Sequence, residues 1–267
     1  MYKLVKKIDL MEVFLRSFLI EASWNFESMQ NIGFTHSLLP VGRRLCKTRE
    51  ERAEFLKRHM KFFNTHPSMA PAIMGVVINL EERHKQGEAG ALEQIEGVKS
   101  SMMGPLAAIG DNVFWEYLRP FSAVVGVSIT LLFKDSHPYL ALLGPLTAII
   151  IYNSINAYIR YKGLIQGYEK GIEIVSVIRG FNLTGLIDKL KFSAALILGI
   201  TVALIFPELN IKFFNGDIFN SLLFLGVTWA FLGMLKIKIY PTVIFYTVIA
   251  AAVLVKYIFQ AGVLWQR

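Results

Sequence analysis

The sequence predicts an all-α integral membrane protein, and three observations support that prediction. First, 54% of its 267 residues are hydrophobic and only 18% are charged, and the mean hydropathy of +0.47 is too high for a soluble domain of this length. Second, several charge-free stretches in the C-terminal half approach the ~20 residues that a spanning helix needs. Third, two apolar segments nearer the N-terminus are interrupted by glycine and proline. We therefore expect transmembrane helices, Gly/Pro-broken re-entrant helical segments and N-terminal amphipathic helices.

The charge distribution favours a membrane surface as a partner. Lysine and arginine outnumber aspartate and glutamate by 28 to 20, which gives a formal net charge of +8. These charges are scattered between apolar runs, a pattern that suits membrane lipid headgroups better than nucleic acid. Residues 1–9 alternate charged and apolar side chains too closely for a signal peptide. We therefore expect contact with membrane lipid, no nucleic acid, and a cytoplasmic N-terminus.

Two amphipathic helices are predicted before the first broken segment. One begins where Asp9 and Glu12 resemble a capping box and apolar residues then recur at helical spacing. The other follows a basic cluster and runs from a capping box of Thr48 and Glu51 to about residue 63. The first helix should lie at the membrane interface or against a partner, and the second should lie in the cytoplasm or at the interface.

Residues 23–30, with the sequence S-W-N-F-E-S-M-Q, form a candidate carbohydrate-contacting segment. At helical spacing, Glu27 and Gln30 share a face and Trp24 lies beside them. A flat aromatic ring stacks on the C–H face of a sugar, while amide and carboxylate groups bond to its hydroxyls. The alternative is an interfacial tryptophan with solvated polar neighbours.

Two apolar segments, residues 64–80 and 98–120, have the character of interrupted membrane helices. The interruptions are Pro67, Pro71 and Gly75 in the first segment and Gly104, Pro105 and Gly110 in the second. Proline removes a backbone donor and glycine weakens a helix, so we expect breaks at these positions. A pair of such segments indicates the substrate site of a secondary transporter, and Asp111 lies directly beside one break. The polar residues 81–96 between the segments are predicted to form a cytoplasmic loop.

The chain changes character after Arg119. Its charge-free stretches there are residues 120–133, 136–159, 192–207, 218–235 and 239–255. With flanking residues added, they predict five membrane crossings, and the distribution of lysine and arginine places the C-terminus outside. We therefore divide the chain into residues 1–119, which carry the polar motifs, and a transmembrane region of residues 120–267.

The motifs of ATP-driven or phosphoryl-accepting chemistry are absent from the sequence. Its five histidines lack metal-ligand spacing, and it contains neither a Walker loop nor a Gly-x-Ser-x-Gly nucleophile elbow. The sequence therefore predicts no metal site, no cofactor and no catalytic residue in this chain.

Four ordered blocks of sequence resemble one family. The blocks read S-W-N-F-E-S-M-Q-N-I-G-F, H-M-K-F-F-N-T-H-P, M-M-G-P-L-A-A-I-G-D-N-V-F-W and G-Y-E-K-G-I-E-I-V. Together they resemble the IID membrane subunit of the mannose-family phosphoenolpyruvate-dependent sugar phosphotransferase system. The resemblance implies a subunit of the bacterial cytoplasmic membrane that pairs with a IIC membrane subunit to form a sugar-translocating channel. It also implies cytoplasmic IIA and IIB components that pass phosphate to the sugar, and oligomers of IIC–IID pairs.

Six residues lie nearest the chain breaks and are predicted to line the sugar pathway. They are Trp24, Asn25, Glu27, Gln30, Asn64 and Asp111. The alternative is that the asparagines bond to broken backbone, that Glu27 pairs with an arginine, and that Asp111 caps a helix beginning at Asn112. For the whole protein, the alternative is a non-transporting membrane scaffold or receptor. Hexoses, amino sugars and ketoses all remain open as substrates.

Overall fold

The computed structural model describes residues 3–135, 137–174 and 183–205, together with individual positions between 226 and 257. Within these ranges every regular element is helical, and the only extended pairings are isolated bridges that join Met29 to Asn25 and to Phe63. The prediction of an all-α protein is confirmed. The chain forms two compact units, residues 1–203 and 204–267, and the candidate site lies wholly in the first.

Nine α-helices lie within the described residues. In order they are α1 (Lys7–Ser17), α2 (Asn31–Leu45), α3 (Arg49–His59), α4 (Ala70–Lys85), α5 (Ala91–Gly110), α6 (Arg119–Phe133), α7 (Pro138–Ala141), α8 (Leu143–Lys170) and α9 (Leu183–Ile205). A π-helical segment, Asp111–Leu118, joins α5 to α6, and a 3₁₀ turn, Gly171–Glu173, follows α8.

The predicted N-terminal helices are present with shifted ends. Helix α1 starts at Lys7, where the backbone N–H of Lys6 donates to Asp9 Oδ2 at 2.9 Å, so Lys6 takes the N-cap position and the predicted capping box of Asp9 and Glu12 is wrong. The predicted capping box of α3 forms as expected, because Glu51 N–H donates to Thr48 Oγ1 at 3.1 Å and the Glu51 carboxylate accepts from Thr48 N–H. Helix α3 ends at His59, one turn earlier than predicted.

The polar loop predicted over residues 81–96 is much shorter in the structure. Helix α4 continues to Lys85 and α5 already begins at Ala91. The turn between them contains Gly87 and Gly90 at φ values of 91° and 78°, a left-handed backbone that glycine adopts without strain. The prediction was wrong because the charged residues after Leu80 extend α4 and find buried partners elsewhere in the fold.

Helices α4 and α8 pack closely against each other. A Cβ atom on Gly75 would lie 2.2 Å from the carbonyl oxygen of Leu164, and one on Gly167 would lie 2.3 Å from that of Ala72. The two backbones therefore approach so closely that only glycine fits at these contacts. Helix α4 is buried along almost its whole length.

The break predicted at Gly104 and Pro105 does not occur. The helical path runs continuously from Ala91 to Phe133 through both residues. Proline removes a single backbone donor, and a membrane helix tolerates that loss where neighbouring groups compensate for it. The irregularity appears one turn later, as the π-helical segment that begins at Asp111.

Two helical runs are long and apolar enough to cross a membrane by length and composition. They are Ala91–Phe133, with 43 residues, and Pro138–Glu173, with 36 residues. The crossings predicted over 120–133 and 136–159 lie on these runs. Those predicted over 192–207, 218–235 and 239–255 lie wholly or partly outside the described residues. The boundary predicted after Arg119 falls inside the first run, so the division into residues 1–119 and 120–267 stays a prediction.

Candidate functional site

The connection between α1 and α2, residues 18–30, displays an aromatic pair and a carboxylate. Trp24 is 45% exposed and Phe26 is 88% exposed, and their rings meet edge-on with centroids 4.8 Å apart. Glu27 is exposed and forms no hydrogen bond or ion pair with any described residue. A partly exposed ring beside a free carboxylate is suited to stacking on a sugar and accepting hydrogen bonds from its hydroxyls.

Asn25 builds the turn that carries these side chains. Its Oδ1 accepts from the Ser28 N–H at 2.8 Å, and its Nδ2 donates to Asn31 Oδ1 at 3.1 Å. Met29, inside this turn, has φ of 56°, a left-handed conformation that is uncommon for a residue other than glycine. The side chain of Asn25 therefore bonds to local backbone, as the alternative interpretation expects.

Gln30 joins the end of this loop to the pre-α4 segment, which is residues 60–69 between α3 and α4. It is 2% exposed, and its amide makes two bonds to the backbone of Thr65. Gln30 Nε2 donates to the Thr65 carbonyl at 2.8 Å, and the Thr65 N–H donates to Gln30 Oε1 at 3.0 Å. The Thr65 hydroxyl then donates to the carbonyl of Met103 in α5 at 2.9 Å. This chain of bonds joins the loop, the pre-α4 segment and the first membrane-length helix.

The pre-α4 segment meets the π-helical segment through His66, which the sequence analysis did not place in the site. His66 is 3% exposed, and its ring stacks on Phe114 with centroids 5.0 Å apart and 17° between the planes. A Cβ atom on Gly110 would lie 2.3 Å from the His66 side chain, so glycine is required there. Asn64, two residues earlier, is exposed, and its N–H points to Met103 Sδ at 3.2 Å. Periodicity could not have identified His66, because its ring partners Phe114 and Trp115 lie more than 40 residues away.

Asp111 opens the π-helical segment, and its side chain is exposed. Its backbone is helical, with φ of −58° and ψ of −47°, so the alternative that it caps a new helix is wrong. Trp115, one turn further on, is 45% exposed, lies edge-on to His66 and is covered on one side by the Arg119 guanidinium at 4.9 Å. A carboxylate and an aromatic side chain thus lie close to each other on a π-helix, an element frequent at functional sites.

A cluster of charged and polar side chains lies between α3 and α4. Glu81 accepts two bonds from Arg58, at 2.8 and 3.2 Å, and one from His59 Nε2 at 3.0 Å. Burial acts to raise the pKa of Glu81, but the hydrogen bonds from His59 and Arg58 outweigh it and lower that pKa. Burial also lowers the pKa of His59, so the ring is neutral and donates Nε2–H to the carboxylate. The cluster joins α3 to α4 and takes no part in the exposed surface.

Within the described ranges, no group of three or more histidine, cysteine or acidic side chains is placed to hold a metal ion. The arrangement offers stacking, hydrogen-bond acceptance and a membrane-length scaffold. It defines a helical integral membrane protein in which an exposed polar and aromatic loop is bonded to the first membrane-length helix through Gln30 and Thr65. This is the class to which the fold assigns the chain.

Comparison with known proteins identifies the family. Residues 4–260 match the family described as the PTS system mannose/fructose/sorbose family IID component, and the chain belongs to this family. It is 41% identical over 201 residues to the PTS system mannose-specific EIID component of Escherichia coli (strain K12), an alignment that covers 75% of this chain and 67% of that protein. It is 34% identical over 200 residues to the sorbose-specific EIID component of Klebsiella pneumoniae, covering 75% and 70%.

Two solved structures have the same fold over most of their length. One is a chain of the cryo-EM structure of the mannose transporter ManYZ and microcin E492 complex, with a TM-score of 0.58, 32% identity, and coverage of 93% of this chain and 95% of that one. The other, described as the structure of a membrane protein, gives a TM-score of 0.67, 32% identity, and coverage of 94% and 96%. The chain is therefore a IID membrane component of a mannose-family sugar phosphotransferase system, and the resemblance seen in the sequence is confirmed.

Proposed function

We propose that this chain pairs with a IIC subunit and lines part of the path along which a monosaccharide crosses the membrane. Cytoplasmic IIA and IIB components supply the phosphate, and this chain is not catalytic alone. The observation that carries the proposal is the bonded chain from Gln30 through Thr65 to Met103, which links the exposed Trp24 loop to the helix bearing Asp111. The likeness to a chain of the ManYZ transporter structure supports pairing with a second membrane subunit.

The six predicted residues divide into two roles in this proposal. Trp24 stacks on the sugar ring, and the exposed Glu27 and Asp111 accept hydrogen bonds from its hydroxyls. The exposed amide of Asn64 offers a further donor and acceptor. Asn25 and Gln30 hold these groups in place, because their amides are already bonded within the protein.

We also propose the membrane arrangement that the distribution of lysine and arginine favours. The N-terminus is cytoplasmic, five helices cross the bacterial cytoplasmic membrane, and IIC–IID pairs assemble into oligomers. The alternative of a non-transporting scaffold or receptor has no observation in its favour, since the relatives named above are sugar phosphotransferase components.

Asp111→Asn tests the proposal in cells that express the whole system. Asp111 makes no hydrogen bond with the described residues and caps no helix, so the variant should assemble normally with IIC. Losing a charge-assisted bond to a hydroxyl costs about 1.5–3 kcal/mol, so the apparent KM for uptake should rise roughly tenfold or more. Asp135→Asn, at an exposed aspartate in the turn after α6, is the matched control. Wild-type uptake by an assembled Asp111→Asn complex would remove Asp111 from the pathway.

A further inference from the structure

Arg160 is a buried cation within the second membrane-length run. It lies in α8 and is 5% exposed. Among the described residues, no carboxylate accepts a hydrogen bond from it. A charge buried in a membrane helix is costly unless other groups compensate for it, and such residues usually serve a function. The site described above does not include Arg160.

The contacts of Arg160 converge on the end of α1. Its Nη1 donates to the carbonyl oxygen of Ser17 at 2.9 Å and contacts Ser17 Oγ at 3.4 Å, while its guanidinium lies 4.7 Å from the ring centre of Phe18. Its Nε donates to Asn156 Oδ1, one turn earlier in α8, at 2.7 Å, which orients the guanidinium. Ser17 is the last residue of α1. Because carbonyls at a helix C-terminus lack intrahelical partners and carry partial negative charge, a cation is stabilised there.

The contacts of Arg160 with Ser17 and Phe18, which we call the Arg160 clamp, lie at the start of the loop that carries Trp24 and Glu27. The loop begins at Phe18, whose ring covers the guanidinium of Arg160. It ends at Gln30, which is bonded to Thr65. The loop is therefore tied to α8 at one end and to the pre-α4 segment at the other, and the residues between are positioned by these two anchors.

We infer that Arg160 is a positioning residue for sugar binding: through Ser17 and Phe18 it holds the Trp24 loop against α8, and it does not touch the sugar. This inference rests on the proposed function, because it takes the loop to be part of the sugar pathway. Both the charge and the shape of the side chain are used. Lysine keeps the charge but loses the planar fork, and glutamine keeps a donor but loses the charge.

The experiment measures loop position and sugar affinity separately in the IIC–IID complex. Ser23→Cys, in a Cys46→Ser background, places a thiol at an exposed position of the loop. Its rate of maleimide labelling in the absence of sugar measures how accessible the loop is, and so whether the loop has moved. Uptake gives KM and the maximal rate. The variants are Arg160→Gln and Arg160→Lys, with Lys162→Gln as the control, because Lys162 is an exposed cation of the same helix and its Nζ lies over the ring of Tyr158.

We expect Arg160→Gln to raise KM about tenfold, to change the maximal rate less, and to accelerate labelling at position 23. Arg160→Lys should recover part of both changes, and Lys162→Gln should alter neither. If Arg160→Gln does not assemble, Phe18→Leu removes only the ring contact. It should raise KM and accelerate labelling at position 23, both by less than Arg160→Gln would.

Three results would overturn the inference. Unchanged labelling and unchanged KM in assembled Arg160 variants would show that the Arg160 clamp does not position the loop. A raised KM with unchanged labelling would show that Arg160 acts by another route. Altered labelling with an unchanged KM would show that the loop moves without affecting sugar, and this result alone would also remove the loop from the proposed pathway.

Discussion

Replacing Gln30 by methionine should destabilise the assembled protein although no group accessible to sugar is removed. Gln30 is 2% exposed, and both polar atoms of its amide bond to the backbone of Thr65, which is itself 4% exposed. Methionine has a similar volume, so the change removes the hydrogen bonds and leaves little cavity. The perturbation therefore isolates the polar link between the loop and the pre-α4 segment.

The size of the effect follows from the groups left behind. The N–H and C=O of Thr65 would both lose their partner in a buried position, at about 1–3 kcal/mol each, or roughly 2–6 kcal/mol together. In a chain of this size each kcal/mol shifts the melting temperature by about 2–4 °C, so we expect a fall of roughly 4–24 °C.

The assay compares the thermal unfolding of IIC–IID complexes that contain either the wild-type chain or the Gln30→Met variant. Gln94→Met is the matched control, since Gln94 is an exposed glutamine in α5 and its replacement should stay within about 0.5 kcal/mol of wild type. A Gln30→Met complex that melts within about 1 °C of wild type would refute the assignment of Gln30 as a buried anchor.

Three further predictions concern the core and the topology. The free energy of unfolding should fall as the pH drops below about 6.5 and fall further below about 4.5. His59 and Glu81 have lowered pKa values in the folded protein, so the unfolded chain binds protons first. A flat pH profile would contradict this, and Glu81→Gln should cost about 2 kcal/mol at pH 7. Gly75→Ala should destabilise the protein by about 1–3 kcal/mol, since its Cβ would overlap the α8 backbone. Gly104→Ala should stabilise α5, because a Cβ there meets nothing within 4 Å. Equal effects of the two substitutions would show that α4 and α8 pack less closely than the structure indicates. Cysteines at positions 3 and 265, without Cys46, should label from opposite sides of the membrane, and labelling from the same side would contradict five crossings.

Local signals in the sequence predicted local structure. The Thr48–Glu51 capping box begins α3 because its bonds join residues three apart, and composition alone indicated the membrane class. For residues 23–30 the expectation that Glu27 and Gln30 share a helical face is wrong, because the segment is not helical and only Glu27 of the two is exposed, while its contact with sugar stays a prediction.

The features that the sequence did not reveal depend on distant partners. Gln30 was predicted to contact sugar, but it bonds to Thr65, 35 residues away, and its inward orientation could not be inferred from local pattern. The loop predicted at Glu81 is helical because that carboxylate bonds to Arg58 and His59. The break predicted at Pro105 is absent because a helix in a packed or lipid environment tolerates one missing donor.

The most direct test of the central claim is protection of the Trp24 loop by sugar. Glu27→Cys, in a Cys46→Ser background, places a thiol at an exposed position of the loop within the assembled IIC–IID complex. A transported sugar should slow maleimide labelling at position 27 in a saturable manner, while a sugar that is not transported should leave the rate unchanged. Gln94→Cys, exposed on α5 near its N-terminus, should label at one rate throughout. Identical labelling of position 27 with and without transported sugar, in a complex that still takes up that sugar, would contradict the account.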